Sequence, residues 1–123
     1  MKWLMLLLGG GIGTVSRHLV SGAAHQMFGA KFPYGTFAVN ILGCFLIGLI
    51  VSLAQEKFVL TDPMKLFLIV GFLGAFTTFS TFIFETSTLI KSGSTLLALA
   101  NVLVSVLIGF FIFEAGVLLG KNI

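Results

Sequence analysis

The sequence predicts an all-α membrane protein with four transmembrane helices per subunit and a break in the third, and three observations predict it. Hydrophobic residues make up 58% of the 123 positions and charged residues 9%, whereas soluble domains carry about 25% charged residues. Four apolar stretches each reach the ~20 residues needed to cross ~30 Å of hydrocarbon. The third of them is crowded with glycine and hydroxyl residues, which makes it a poor continuous helix in lipid.

The stretches fall at Trp3 to Ala24, Tyr34 to Ala54, Lys65 to Ile90 and Thr95 to Leu119, in one domain covering 1–123. Their connections are short: Gln26 to Pro33, then Gln55 to Met64 with Asp62 and Pro63 as breakers, then a turn at Lys91, Ser92 and Gly93. The start resembles a secretory signal ending at Ser21 to Ala24. Arg17 interrupts its apolar region, however, and three spans follow, so an uncleaved first helix is the simpler reading.

The net charge of +3 comes from basic residues scattered singly along the chain. No run tracks a nucleic-acid backbone, so nucleic-acid binding is not expected. If the spans alternate, Lys2, Lys57, Lys65 and Lys121 share the side of the termini, while Lys31 and Lys91, joined by Arg17 near its helix end, lie opposite. So small a bias leaves orientation poorly determined. Four helices in contact fill their own centre with side chains. A pathway then requires oligomerisation, and the weak bias suggests a dimer with inverted subunits, the parallel arrangement remaining open.

Polar side chains inside a span are expensive unless paired or hydrated, which makes them default functional candidates. Thr36, Asn40, Gly43 and Cys44 line one face of the second span at i, i+4, i+7 and i+8. The Asn40 amide suits either anion binding by N–H donation or an interhelical hydrogen bond.

In the third span, Gly71 and Gly74 permit unwinding, and freed carbonyls at mid-membrane favour a cation. Close helix packing is the competing use of those glycines. On an unbroken helix, Phe79, Phe82 and Thr86 fall within ~60° of one another, flanked by Thr78 and Glu85, with Ser80 and Thr81 roughly opposite. Phenylalanine ring edges are positive and attract a small anion, although packing is the commoner role of such a pair.

Arg17 lies ~21 Å beyond Trp3 along the first helix. Glu85 approaches the same face, so Arg17 is expected to pair with it or to supply a positive vestibule. Asn101, Ser105 and Gly109 form a further stripe suited to packing. Cys44 is the single cysteine and reads as a packing residue, and His18 and His25 lack a metal-ligand set. The run Gly9 to Gly13 follows no strand and reads as a close-packing surface. Nucleophile elbows, metalloprotease motifs and paired carboxylates are absent, which argues against a hydrolase.

The glycine-rich first helix ending in Thr14-Val15-Ser16-Arg17, the segment Gly35-Thr36-Phe37-Ala38-Val39-Asn40 and the block Gly71 to Phe82, with Thr77-Thr78-Phe79-Ser80-Thr81-Phe82, occur here in that order. Together they resemble the Fluc/CrcB fluoride channel family over essentially the whole chain. The resemblance implies an antiparallel, dual-topology homodimer in the bacterial inner membrane, passing fluoride outward through two parallel pathways. It implies that Asn40, Phe79 and Phe82 line the pores, with Thr36, Ser80, Thr81 and Glu85 as a polar track. It further implies a sodium ion at the dimer centre, held by backbone carbonyls of Gly74 and Thr77.

Two other readings compete. A proton-coupled transporter of the small multidrug-resistance type is also four-span and dimeric, but it needs a carboxylate in the first helix, and this helix has none. A structural subunit of a larger complex predicts no ion flux from the purified protein.

Overall fold

The computed structural model describes residues 1–57 and 60–123, so part of the Gln55 to Met64 connection lies outside the described residues. Among the described residues, four segments are long and apolar enough to cross a membrane: Lys2–Phe28, Tyr34–Glu56, Asp62–Lys91 and Thr95–Asn122. The chain is a multi-pass integral membrane protein. The first span, α1 (Lys2–Phe28), continues past Ala24, and α2 spans Tyr34–Glu56. Gly29 ends α1 at φ 91° and Gly93 sits at φ 84° after the third span, where a side chain would be strained.

The third span is the irregular one. It opens as α3 (Asp62–Lys65), loosens into a π-helical stretch at Leu66–Leu73, and tightens for one turn as α4 (Gly74–Phe76). It then leaves helical geometry at Thr77, whose φ of −86° and ψ of 160° are extended, and resumes as α5 (Ser80–Lys91). The break thus follows the two glycines instead of falling on them. Gly71 and Gly74 both lie in helical backbone, and Gly71 serves close packing. The last span is α6 (Thr95–Asn122).

Glycine faces draw the helices together. A β-carbon on Gly9 or Gly13 of α1 would run into the Phe67 or Phe72 carbonyl, and one on Gly71 would lie 3.1 Å from the Gly9 Cα. Gly10 and Gly11, in the same run, face open space, so half of that run is the packing surface. The α2 and α6 helices make the most extensive pair, with Gly48 and Gly116 each seated against the other helix's backbone. Between these pairs sits a small core of Val39, Leu73 and Phe76. Large apolar side chains such as Trp3, Leu7, Leu96, Val106 and Phe111 point outward, as lipid-facing positions do where tails solvate them as well as a core would.

This packing gives a discriminating pair of variants. Gly13→Val forces a side chain into the Phe72 backbone and is expected to destabilise the protein by about 1 to 3 kcal/mol. Gly22→Ala fills open space and should stay within about 0.5 kcal/mol of the parent. Thermal unfolding in detergent, followed by gel filtration, checks both.

Candidate functional site

The site grows from the interruption of the third span, because a broken helix exposes carbonyls at one end and N–H groups at the other. Both are costly in hydrocarbon unless something meets them. Asn40, on α2, meets two of them. Its Oδ1 accepts the Thr78 N–H at 2.8 Å, and its Nδ2 donates to the Thr78 carbonyl at 2.9 Å. The interhelical reading of Asn40 is therefore realised, yet it uses one of two amide protons. The other has no partner among the described residues.

The two ends of the break differ in chemistry. On the α4 side, the carbonyls of Gly74 and Thr77 accept no hydrogen bond from the residues of the break, while the Thr77 N–H and hydroxyl both turn back to the Leu73 carbonyl. Gly74 is exposed, with only the Ile69 carbonyl, at 3.9 Å, near the place of a β-carbon. Neutral carbonyl oxygens of this kind suit a hard monovalent cation. The donor types at Gly74 and Thr77 fit a sodium ion.

On the α5 side, the N-terminus of a twelve-residue helix begins at Ser80, and helix N-termini favour anions. The Thr78 hydroxyl accepts the Thr81 N–H at 3.3 Å, donates to the Thr81 hydroxyl at 3.2 Å, and lies 3.5 Å from the Ser80 hydroxyl. On an unbroken helix Ser80 and Thr81 would face away from the aromatic pair. The break gathers their hydroxyls around Thr78 instead.

Phe79 and Phe82 lie next to each other, with ring centroids 5.9 Å apart and planes tilted by 41°. Their surroundings are unlike: Phe79 is 73% exposed, on the outer side of the break, and Phe82 is 8% exposed, inside α5. Asn40, Gly74, Thr77, Thr78 and Phe79 line a groove of about 470 Å³ on the surface of the chain.

Glu85 lies two turns further along the third span. Its Oε1 accepts the hydroxyl of the buried Thr36 at 2.9 Å, while its Oε2 is shielded and has no partner among the described residues. It does not pair with Arg17 within the chain. The ion pair among the described residues joins Lys65 to Asp62 at 3.8 Å. The reason is register. Gly13 is level with Phe72 and Ala75, so Arg17, one turn on, comes near the level of the break. Glu85 instead borders a second cavity of about 220 Å³ with His25, Lys31 and Thr88.

Thr78 is the central residue that sequence reasoning passed over, treating it only as a flank of the aromatic pair. The hydroxyl-rich block pointed to the region, but nothing local to it indicates that its backbone meets an asparagine 38 positions away.

The family model for CrcB-like protein, Camphor Resistance (CrcB), matches residues 4–117. The fluoride-specific ion channel FluC of Maridesulfovibrio salexigens is 43% identical over 99% of this chain and 97% of the relative. That of Solibacter usitatus is 44% identical over 99% of this chain and 100% of the relative. That of Hydrogenovibrio crunogenus is 48% identical over 93% and 86%. A match across nearly the whole length, in a chain whose four spans include an interrupted third, places the protein in the CrcB family.

Proposed function

We propose that this chain is a fluoride-selective ion channel of the bacterial inner membrane that lets fluoride leave the cell passively and so relieves its toxicity. The observation that carries the reading is the break clamped by Asn40, which sets an amide proton, a hydroxyl cluster and a helix N-terminus beside two phenylalanine rings. The near full-length likeness to proteins described as fluoride-specific ion channels supports it. The protein is a channel and not an enzyme. The proton-coupled transporter alternative finds no support, since α1 has no carboxylate and the family is a different one.

Fluoride is small and strongly hydrated, so a pathway must replace its water with many contacts, each weak enough to release it. In this reading Asn40 offers its spare N–H, Ser80 and Thr81 offer hydroxyls, and Phe79 and Phe82 offer positive ring edges. Thr36, with Glu85, continues the polar track, and Arg17 contributes positive potential to a vestibule. None of the anion contacts is a fixed cation, which would trap the ion.

A second copy of the chain, inserted in the opposite sense, completes the pathway. The exposure of Phe79 and the open groove beside Gly74 support a second copy against this face, and the weak lysine and arginine bias supports its inverted insertion. The Gly74 and Thr77 carbonyls of the two copies would hold a sodium ion at the dimer centre. Bound there, the ion supplies positive potential and satisfies carbonyls that hydrocarbon leaves unpaired. The remaining partner is membrane lipid.

Fluoride efflux from liposomes, read with a fluoride electrode, tests the function. The parent protein is expected to discharge a fluoride gradient and to leave a chloride gradient standing, and an undissipated fluoride gradient contradicts the reading. Asn40→Asp replaces donors with a charge that repels both the anion and the Thr78 carbonyl. Efflux should fall by about 100-fold, the factor given by about 2.7 kcal/mol of added barrier. Phe79→Ile and Phe82→Ile, which remove ring edges, should each lower it by about tenfold or more.

The dimer has its own test. A cysteine placed at the Lys31 connection should react with impermeant reagent from both faces of sealed vesicles if the two orientations are mixed. Labelling from one face alone contradicts the antiparallel arrangement.

A further inference from the structure

We propose that Asn101 is a positioning residue for Phe82, acting from α6 through the hydroxyl of Thr86. The inference rests on the reading that Phe82 borders the ion path.

Asn101 is 1% exposed and its amide is engaged at both ends. Its Nδ2 donates to Thr86 Oγ1 at 2.9 Å, and its Oδ1 accepts the Ser105 hydroxyl at 3.3 Å. Thr86 Oγ1 in turn donates to the Phe82 carbonyl at 2.7 Å. Because the Thr86 oxygen receives a proton from Asn101, its own proton is directed at Phe82. Ser105 fixes which way the amide faces, so the relay runs in one direction from α6 to the aromatic residue.

The location gives the relay its consequence. Phe82 sits in the first turn of α5, where the N–H groups have no intrahelical partners and the backbone is held least by its own helix. Within the chain α5 packs on α6 more than on any other element. Among the described residues, Asn101 to Thr86 is the one side-chain hydrogen bond between those two helices. A threonine hydroxyl bonded back to the carbonyl four residues earlier also bends the helix locally. The tie therefore sets the aim of the Phe82 ring as well as its depth. A plain interhelical tie would stabilise the fold without being linked to the ring, and that difference is testable.

The test uses the purified full-length protein in liposomes. Thr86→Val and Asn101→Leu should each lower fluoride efflux by roughly three- to tenfold, the effect of losing one buried hydrogen bond, while Thr86→Ser, which keeps the hydroxyl, should retain the parental rate. In a Phe82→Ile background, adding Asn101→Leu should cause no further loss. Where Phe82→Ile itself lowers efflux, parental efflux from both Thr86→Val and Asn101→Leu overturns the proposal. So does an undiminished loss in the Phe82→Ile background, which means that Asn101 acts on the ion by another route. A fluorinated phenylalanine at Phe82 supplies a readout independent of flux: its ¹⁹F resonance should shift or broaden with Thr86→Val. An unchanged resonance overturns the relay. A changed resonance together with parental flux from Phe82→Ile leaves the relay standing and removes Phe82 from the ion path.

Discussion

The structure depends on two hydrogen bonds between the side chain of Asn40 and the backbone of Thr78. A helix interrupted inside a bilayer leaves polar groups that water cannot reach, each costing several kcal/mol if nothing meets it. An asparagine carries a donor and an acceptor at the right separation to satisfy one residue's N–H and C=O together. That clamp makes the interruption tolerable. It also leaves the Gly74 and Thr77 carbonyls without a donor from the break on one side and opens the start of α5 on the other. One break thus yields an end that suits a cation and an end that suits an anion.

Everything around the clamp serves to bring α2 against the third span at the correct height. A β-carbon on Gly43 would collide with the Thr77 side chain, so a larger residue there would require Thr77 to turn or α2 to sit further from the break. The contacts of Gly9 and Gly13 with the π-helical stretch set the height of α1 in the same way. Apolar surface supplies no attraction between helices in lipid, so close backbone approach and satisfied polar groups must hold the bundle together. On the far side of α5, the buried Asn101 and Thr86 repeat the device on a smaller scale.

The spans and the existence of a break were legible in the sequence, because hydrophobic length and a crowd of glycines and hydroxyls are local signals. The place of the break was not. The flexible glycines remain helical and Thr77 leaves the helix, since the clamp from α2 and not intrinsic backbone freedom decides where the chain opens. The same long-range contact explains why helical-wheel reasoning set Ser80 and Thr81 opposite the rings when their hydroxyls gather around Thr78. Pairing Arg17 with Glu85 required a common register for two spans. The π-helical stretch and the break alter the rise of one of them, so counting residues along ideal helices brings the wrong groups level.

In the proposed channel the clamp leaves Asn40 with an amide proton free to meet the anion, and side-chain ¹⁵N–¹H spectra of asparagine-labelled protein in bilayers report on that proton. The chain has three asparagines, Asn40, Asn101 and Asn122. Titration with fluoride should move the Asn40 signal and leave that of Asn122, at the membrane edge, in place, with chloride having no effect on either. An Asn40 signal that stays fixed at fluoride concentrations sustaining flux would contradict the account.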